Sequence, residues 1–330
     1  MLAYIARRMV LACGTILAIS IVSFLIIQLP PGDYLTAYIA TLRAQGDAVS
    51  MEQVEALRKQ YGLDRPIMEQ YGLWMWNMLH GDFGVSLDYN RPVSELIGER
   101  LFLTVVVTLS AVIFTWALAI PIGIYSAVRQ HSAGDYVFTF IGFIGVAIPG
   151  FLLALVLMYG AYAWFGISVD GLFSDAYIEA EWSLARVGDL LTHLWVPALV
   201  LGAAGTAQLI RILRSNLLDE LRKPYVVAAR AKGLSLWRAV IKYPVRVALN
   251  PLVSTVGYIL PALVSGSVIV SVVLNLPTVG PLLWRALLAQ DMYLAGTIVL
   301  LLSTLTVIGT LLSDILLVIL DPRIRLEGRR

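Results

Sequence analysis

The side chains that could do chemistry in this 330-residue chain are few and scattered. His80, His131 and His193 lie more than fifty residues from one another and form no HExxH or comparable ligand spacing, so each reads as a loop or interface residue and the metal ligands are none. Cys13 is the single cysteine, which excludes an internal disulfide and a cysteine cluster. No Ser/His/Asp set and no paired carboxylates stand within the apolar stretches, so the catalytic residues are also none and the chain reads as no enzyme. It contains no Gly-Lys dipeptide, hence no P-loop to cradle a nucleotide. Two features remain. Asp314 is an acid inside an apolar run, a candidate for proton coupling, although its place near the run's end favours a structural partner such as a cytoplasmic Arg or a backbone group. The other feature is the basic, small-residue stretch Ser215 to Pro251.

Within that stretch Pro224 can open a short helix, Ala228, Ala229 and Ala231 give it a thin face, and Gly233 can end it in the left-handed conformation. Ser235 is placed to cap a following helix whose apolar side is Leu236, Val240 and Ile241. Such a helix, flanked by Arg230 and Lys232, can seat in another protein's groove and transmit a push. It can equally lie on anionic lipid through its basic residues, and spacing alone leaves both readings open.

The elements that must position it are apolar. The chain is 59% hydrophobic and 14% charged, with a mean hydropathy of +0.80, more apolar surface than a soluble core hides. A net charge of +2 gives no reason to expect nucleic acid. Six runs are long enough for a ~30 Å hydrocarbon layer: Met9 to Leu29, Leu101 to Val128, Tyr136 to Phe165, Leu194 to Leu213, Leu249 to Asn275, and Leu294 to Leu320. Backbone groups in lipid must pair internally, so the expected fold is an all-α integral membrane protein with about six transmembrane helices. The first run is too long for a secretory signal and reads as a retained span. Pro121, Pro149 and Pro261 are expected to kink their helices rather than end them.

Basic residues orient the bundle. Arg7 and Arg8 precede the first span, Arg129 follows the second, nine Lys and Arg lie between Arg211 and Arg246, and four lie in the tail, whereas the third and fifth connections carry only Arg186 and Arg285. By the positive-inside rule both termini and the Ser215 to Pro251 stretch are cytoplasmic. The external segment 30–100 can hold an ordered helix from the capping box Ser50-Met51-Glu52-Gln53 to Gly62. Trp74, Trp76, Phe83 and Tyr89 can form an interfacial belt or local packing, or face a partner. The connection Gly166 to His193 carries Asp170, Asp175, Glu179, Glu181 and Asp189 against Arg186; solvation explains it more simply than an external partner or cationic solute.

The run Tyr225-Val226-Val227-Ala228-Ala229-Arg230-Ala231-Lys232-Gly233-Leu234 resembles the coupling loop of ATP-binding-cassette importer permeases, and most closely the dipeptide/oligopeptide/nickel permease family. Val227 stands where the older motif has glutamate, and Asn250-Pro251 sits where this family's proline is typical. The resemblance extends to Arg7-Arg8, Pro31-Gly32-Asp33, Tyr61 to Pro66, Gly81 to Leu87, Asp291-Met292-Tyr293 and Asp321-Pro322-Arg323-Ile324. The stretch Gly171 to Ala185 has no counterpart there.

The resemblance implies a type I importer-like permease core over 101–320, with the coupling loop at 214–248, between the tail and first span 1–29, the external segment 30–100 and the tail 321–330. It implies a bacterial inner-membrane location, a homologous second permease, two ATPase subunits that bind ATP and Mg outside this chain, an external solute-binding protein and surrounding lipid. ATPase coupling would fall to Tyr225, Ala228, Ala229, Arg230, Lys232 and Gly233. A translocation path would run near Gly145, Pro149, Ser265, Ser267 and Ser271, residues that tight helix packing also explains. Related permeases carry dipeptides, longer peptides, nickel chelates and some oligosaccharides. An ion-gradient-driven secondary transporter is the rival reading, resting on Asp314 alone.

Overall fold

A computed structural model describes residues 2–28, 55–56, 59, 64–252 and 266–320. In chain order its helices are α1 (Leu2–Gln28), α2 (Ile67–Leu79), α3 (Val93–Val128), α4 (Ala133–Ala147), α5 (Gly150–Phe165), α6 (Leu184–His193), α7 (Trp195–Leu221), α8 (Pro224–Ala231), α9 (Leu236–Lys242), α10 (Pro244–Ala248), α11 (Val279–Leu288) and α12 (Met292–Leu320). Residues 266–273 are also helical. Among the described residues the one extended pairing is an isolated bridge between Val85 and Pro92, so the all-α expectation holds.

Helices α1, α3, α7 and α12 are each long and apolar enough to cross a membrane, and α4 with α5 is an apolar pair bent by 105°, a geometry shared by a broken crossing and a re-entrant loop. Most of the expected span Leu249 to Asn275, including Pro261, lies outside the described residues, so six spans become four or five within them. Of the expected helix from Ser50 to Gly62, only residues 55, 56 and 59 are described, and they are helical. Helix α3 starts at Val93 rather than Leu101, because no proline separates its polar first turns from the apolar run and Gly98 alone does not end it; its 36 residues span about 54 Å.

Pro149 corrects the expectation of a kink. Helix α4 stops at Ala147, and α5 leaves at 105°. A residue before proline is pushed out of the helical region, and Ile148 sits at φ −91°, ψ 122° with Pro149 as the N-cap of α5. Pro121 does stay inside α3, where Ile120 and Ile122 pack against a hydrophobic cluster that holds the helix together.

One compact unit comprises residues 1–9, 105–277 and 308–330. A hydrophobic cluster there joins Ala119 and Ala127 of α3, Leu209, Leu213 and Leu217 of α7, and Val240, Val245 and Ala248 of α9 and α10. Small residues bring helices close: a Cβ on Gly202 would lie 2.9 Å from both Phe114 Cδ1 and Thr115 Oγ1. The acidic connection folds around Arg186, whose guanidinium lies 4.6 Å from the ring centroids of both Phe173 and Trp182 and donates to the Ile178 carbonyl at 3.0 Å. Asp189 accepts from Ser174 N (2.8 Å) and Ser174 Oγ (2.6 Å). Asp175, Glu179 and Glu181 are exposed, as solvation predicts, whereas Arg186 and Asp189 are structural.

The other unit comprises residues 10–104 and 278–307. Phe24, Trp74 and Leu300 form its aromatic core with Tyr71, so Trp74 belongs to local packing, while Trp76 is exposed. Asp291 is fully buried and accepts from Ser86 Oγ (2.5 Å), Leu87 N (2.8 Å), Asp88 N (3.2 Å) and Leu294 N (3.1 Å). It therefore caps α12 and holds the 84–92 loop with the same carboxylate.

Candidate functional site

The segment after α7 is built as its residues dictate. Lys223 is extended (φ −72°, ψ 145°), and Pro224 opens α8 at a position where the missing N–H costs no intrahelical bond. Eight residues, about 12 Å, then form the helix. Lys232 N donates to Ala228 O at 3.1 Å, Gly233 N to Arg230 O at 2.9 Å and Leu234 N to Ala229 O at 3.3 Å, which satisfies the last carbonyls. Gly233 takes φ +90°, the left-handed turn expected of it. Ser235 is the N-cap of α9 by position, but its hydroxyl makes no capping bond.

Helix α8 has two faces. Val226 and Ala229 are buried, while Tyr225, Val227, Ala228, Arg230, Ala231, Lys232 and Gly233 are exposed. Of the six residues assigned to coupling, Ala229 thus roots the helix in its own chain and the other five stand on the surface. The buried side of α9 is Ala239 with Val240; Leu236 and Ile241, expected to turn inward with Val240, are exposed because α9 is short and its inward face is only two residues wide. Tyr225 Oη donates to Glu220 Oε2 at 2.5 Å, tying α8 back to the end of α7. Burial, and then this carboxylate, push the Tyr225 phenol up to about 12, so it stays protonated.

Behind the segment lies an ion pair that the sequence reading missed. Arg214 of α7 holds Asp135 of α4 in a two-pronged contact, Nε to Oδ1 at 3.0 Å and Nη2 to Oδ2 at 2.9 Å. Asp135 is 4% exposed, and its Oδ2 also accepts from His131 N at 3.0 Å. Ser132 completes the start of α4 by accepting from Asp135 N. The partners are 79 positions apart, and the available signal was an acid opening an apolar helix with two arginines, Arg211 and Arg214, in the C-terminal half of another.

The residues assigned to a path are placed differently. Gly145 sits in a helix contact, where a Cβ would lie 3.3 Å from Ala203 O, as the packing explanation requires. Pro149 stands at the break, and the adjacent Gly150 comes within 3.4 Å of Val270 Cγ2 by the same measure. Helical residues 266–273 are thereby brought beside the break; their Ser267 and Ser271 are buried, and Ser265 lies outside the described residues. Asp314 has the structural partner expected of it: Arg8 Nη1 stands 2.9 Å from its Oδ2.

Two family matches cover nearly the whole chain. Residues 119–326 match the binding-protein-dependent transport system inner membrane component, and residues 1–109 match the N-terminal part of such membrane components. The oligopeptide transport system permease protein AppB of Bacillus subtilis is 37% identical over 326 residues, 98% of this chain and 99% of the relative. A putative peptide permease protein of Brucella ovis is 33% identical, with the same shares covered. The dipeptide transport system permease protein DppB of Escherichia coli is 30% identical over 341 aligned positions, 98% of this chain and 99% of that one.

Proposed function

Because the chain belongs to the family of binding-protein-dependent transport-system inner-membrane components, we propose that α8 is the point at which separate ATPase subunits drive it. The chain is a multi-pass permease subunit of an ATP-binding-cassette importer. Its cargo is peptide, a reading supported by the names of its relatives. Both termini and α8 face the cytoplasm, as the distribution of Lys and Arg supports. A homologous second permease supplies the other half of the path, two ATPase subunits bind ATP and Mg, and an external solute-binding protein delivers cargo.

One observation carries the coupling role: a single short helix, delimited by Pro224 and Gly233, presents small and basic side chains outward while Val226 and Ala229 anchor it. Tyr225, Ala228, Arg230, Lys232 and Gly233 form the docking side, and Ala229 transmits load into the chain. The path passes by the break at Pro149 and along Ser265, Ser267 and Ser271, with Gly145 setting the helix spacing beside it. The test is a cysteine at Ala228 in a Cys13→Ser background, with the whole complex oxidised against single cysteines on the ATPase subunits. Disulfide capture of an ATPase is expected; modification by a lipid-borne reagent with no ATPase captured at any position would overturn the assignment.

A further inference from the structure

The contacts between α4 and α7 divide into two kinds. Along their middles the surfaces are smooth: a Cβ on Gly142 would meet Ala207 Cβ at 3.4 Å, and one on Gly145 would meet Ala203 O at 3.3 Å. Glycine facing alanine gives close approach but no interlocking knob, so these faces resist separation more than sliding. At one end the contact is directional instead. Arg214 grips both oxygens of Asp135 in a planar, charge-assisted fork, and that geometry is lost when either helix shifts along the other.

The connections on each side make that fork mechanical. Toward the motor, α7 runs without interruption from Arg214 to Leu221, and Glu220 near its end binds Tyr225 of α8. Away from it, α4 runs from Asp135 to Ala147 and stops at the Ile148–Pro149 break, which turns the chain by 105° into α5. Asp135 is also locked in place, since its carboxylate accepts from His131 N and its own N–H is bonded to Ser132 Oγ.

We propose that the Asp135–Arg214 pair is a register pin: it locks α4 to α7, so that a displacement of α8 is delivered to the break at Pro149 rather than lost by sliding between smooth helix faces. Asp135 and Arg214 are positioning residues, acting through α4 and α7 without touching cargo or nucleotide. The inference rests on the coupling role of α8.

The assembled complex, with its ATPase subunits, tests it by pulsed electron–electron distance measurement. Spin labels go on two exposed positions, Phe140→Cys of α4 and Asp219→Cys of α7, in a Cys13→Ser background. Distances are read without nucleotide and after trapping with ATP and vanadate. With the pin intact the distance is expected to be the same in both states, because the two helices move as one body. In Arg214→Gln, and separately in Asp135→Asn, which keeps the shape of the carboxylate, a nucleotide-dependent shift is expected. A shift already present in the parent, or none in either variant, overturns the pin. Loss of the ATPase subunits from both variants on purification also counts against it, since fixing a register is not a condition of assembly. Absence of the Ala228 crosslink in the parent marks failure of the coupling role itself, separately from these outcomes.

Discussion

Replacing Gly233 isolates the shape of the turn after α8 from everything around it. The residue holds φ +90°, and a Cβ built there meets no heavy atom within 4 Å, so a side chain adds strain in the backbone without colliding with neighbours. For an L-residue the left-handed region costs about 1–2 kcal/mol, with Asn at the low end and a β-branched residue at the high end. Since α8 has a single turn of carbonyls closed by the amides of Lys232, Gly233 and Leu234, this cost falls on the local opening of that turn. Opening is therefore expected to rise by about 5–30-fold from Gly to Val. Hydrogen–deuterium exchange over 224–236 in the assembled complex is the assay, with ATP-driven uptake of tritiated tripeptides read in parallel. Both should order as Gly, Asn, Ala, Val, exchange rising and uptake falling, while global melting stays near that of the parent because the site is exposed. A Val variant whose exchange and uptake both match the parent would refute the reasoning, for the turn would then not need its left-handed residue.

Asp291→Ala strands the Ser86 hydroxyl and the amides of Leu87, Asp88 and Leu294, at about 1–3 kcal/mol for each donor left unsatisfied; a large fall in melting temperature in detergent is expected, and a shift of only a degree or two would show that the donors find other partners. At Asp189 burial pushes the carboxyl pKa up, but the two Ser174 bonds and the nearby His193 together hold it below its ordinary value. A depressed folded pKa means stability that is present above the usual carboxylate range and is lost as pH falls through the lowered value. The fluorescence of Trp182, stacked on Arg186, should change as pH falls through that window, and in Ser174→Ala the change should move to higher pH; an unmoved transition would remove Ser174 as its cause.

What the sequence made legible follows from how local each cause is. Pro224 and Gly233 act on their own φ, so the limits of α8 could be read without a structure, and they stand where expected. The apolar runs likewise announced α1, α3, α7 and α12, since lipid sets the shortest apolar run that can cross it. Pro149 misled because Pro121 carries the same local signal: one helix survives and the other breaks, and the residues flanking Pro121, Ile120 and Ile122, pack against a hydrophobic cluster. Asp135 with Arg214 depends on a fold that brings residues 79 positions apart together, and Arg186 between Phe173 and Trp182 on an irregular connection that folds two rings onto one guanidinium; no periodicity encodes either. Leu236 and Ile241 were assigned inward by periodicity, but α9 is too short for periodicity to fix a face.

The placement of the ionic contacts in the larger unit explains why transmission has to run through helix ends. Charge deep in hydrocarbon is costly, so a helix that crosses lipid can carry directional, charge-assisted contacts only toward its termini. Asp135 lies in the first turn of α4, Glu220 in the last turn of α7, Arg8 early in α1 and Asp314 late in α12. Between those ends α4 and α7 meet through Gly142 and Gly145 against Ala207 and Ala203, contacts that set distance and leave register weakly fixed. A helix pair pinned at one end and smooth along its length passes on an axial push but cannot bend it. Bending must occur where backbone continuity is already given up, and at the far end of α4 that is Ile148–Pro149, with Gly150 allowing residues 266–273 to approach. The same energetic rule that keeps charges out of the lipid thus separates the pin from the hinge, placing the two at opposite ends of α4.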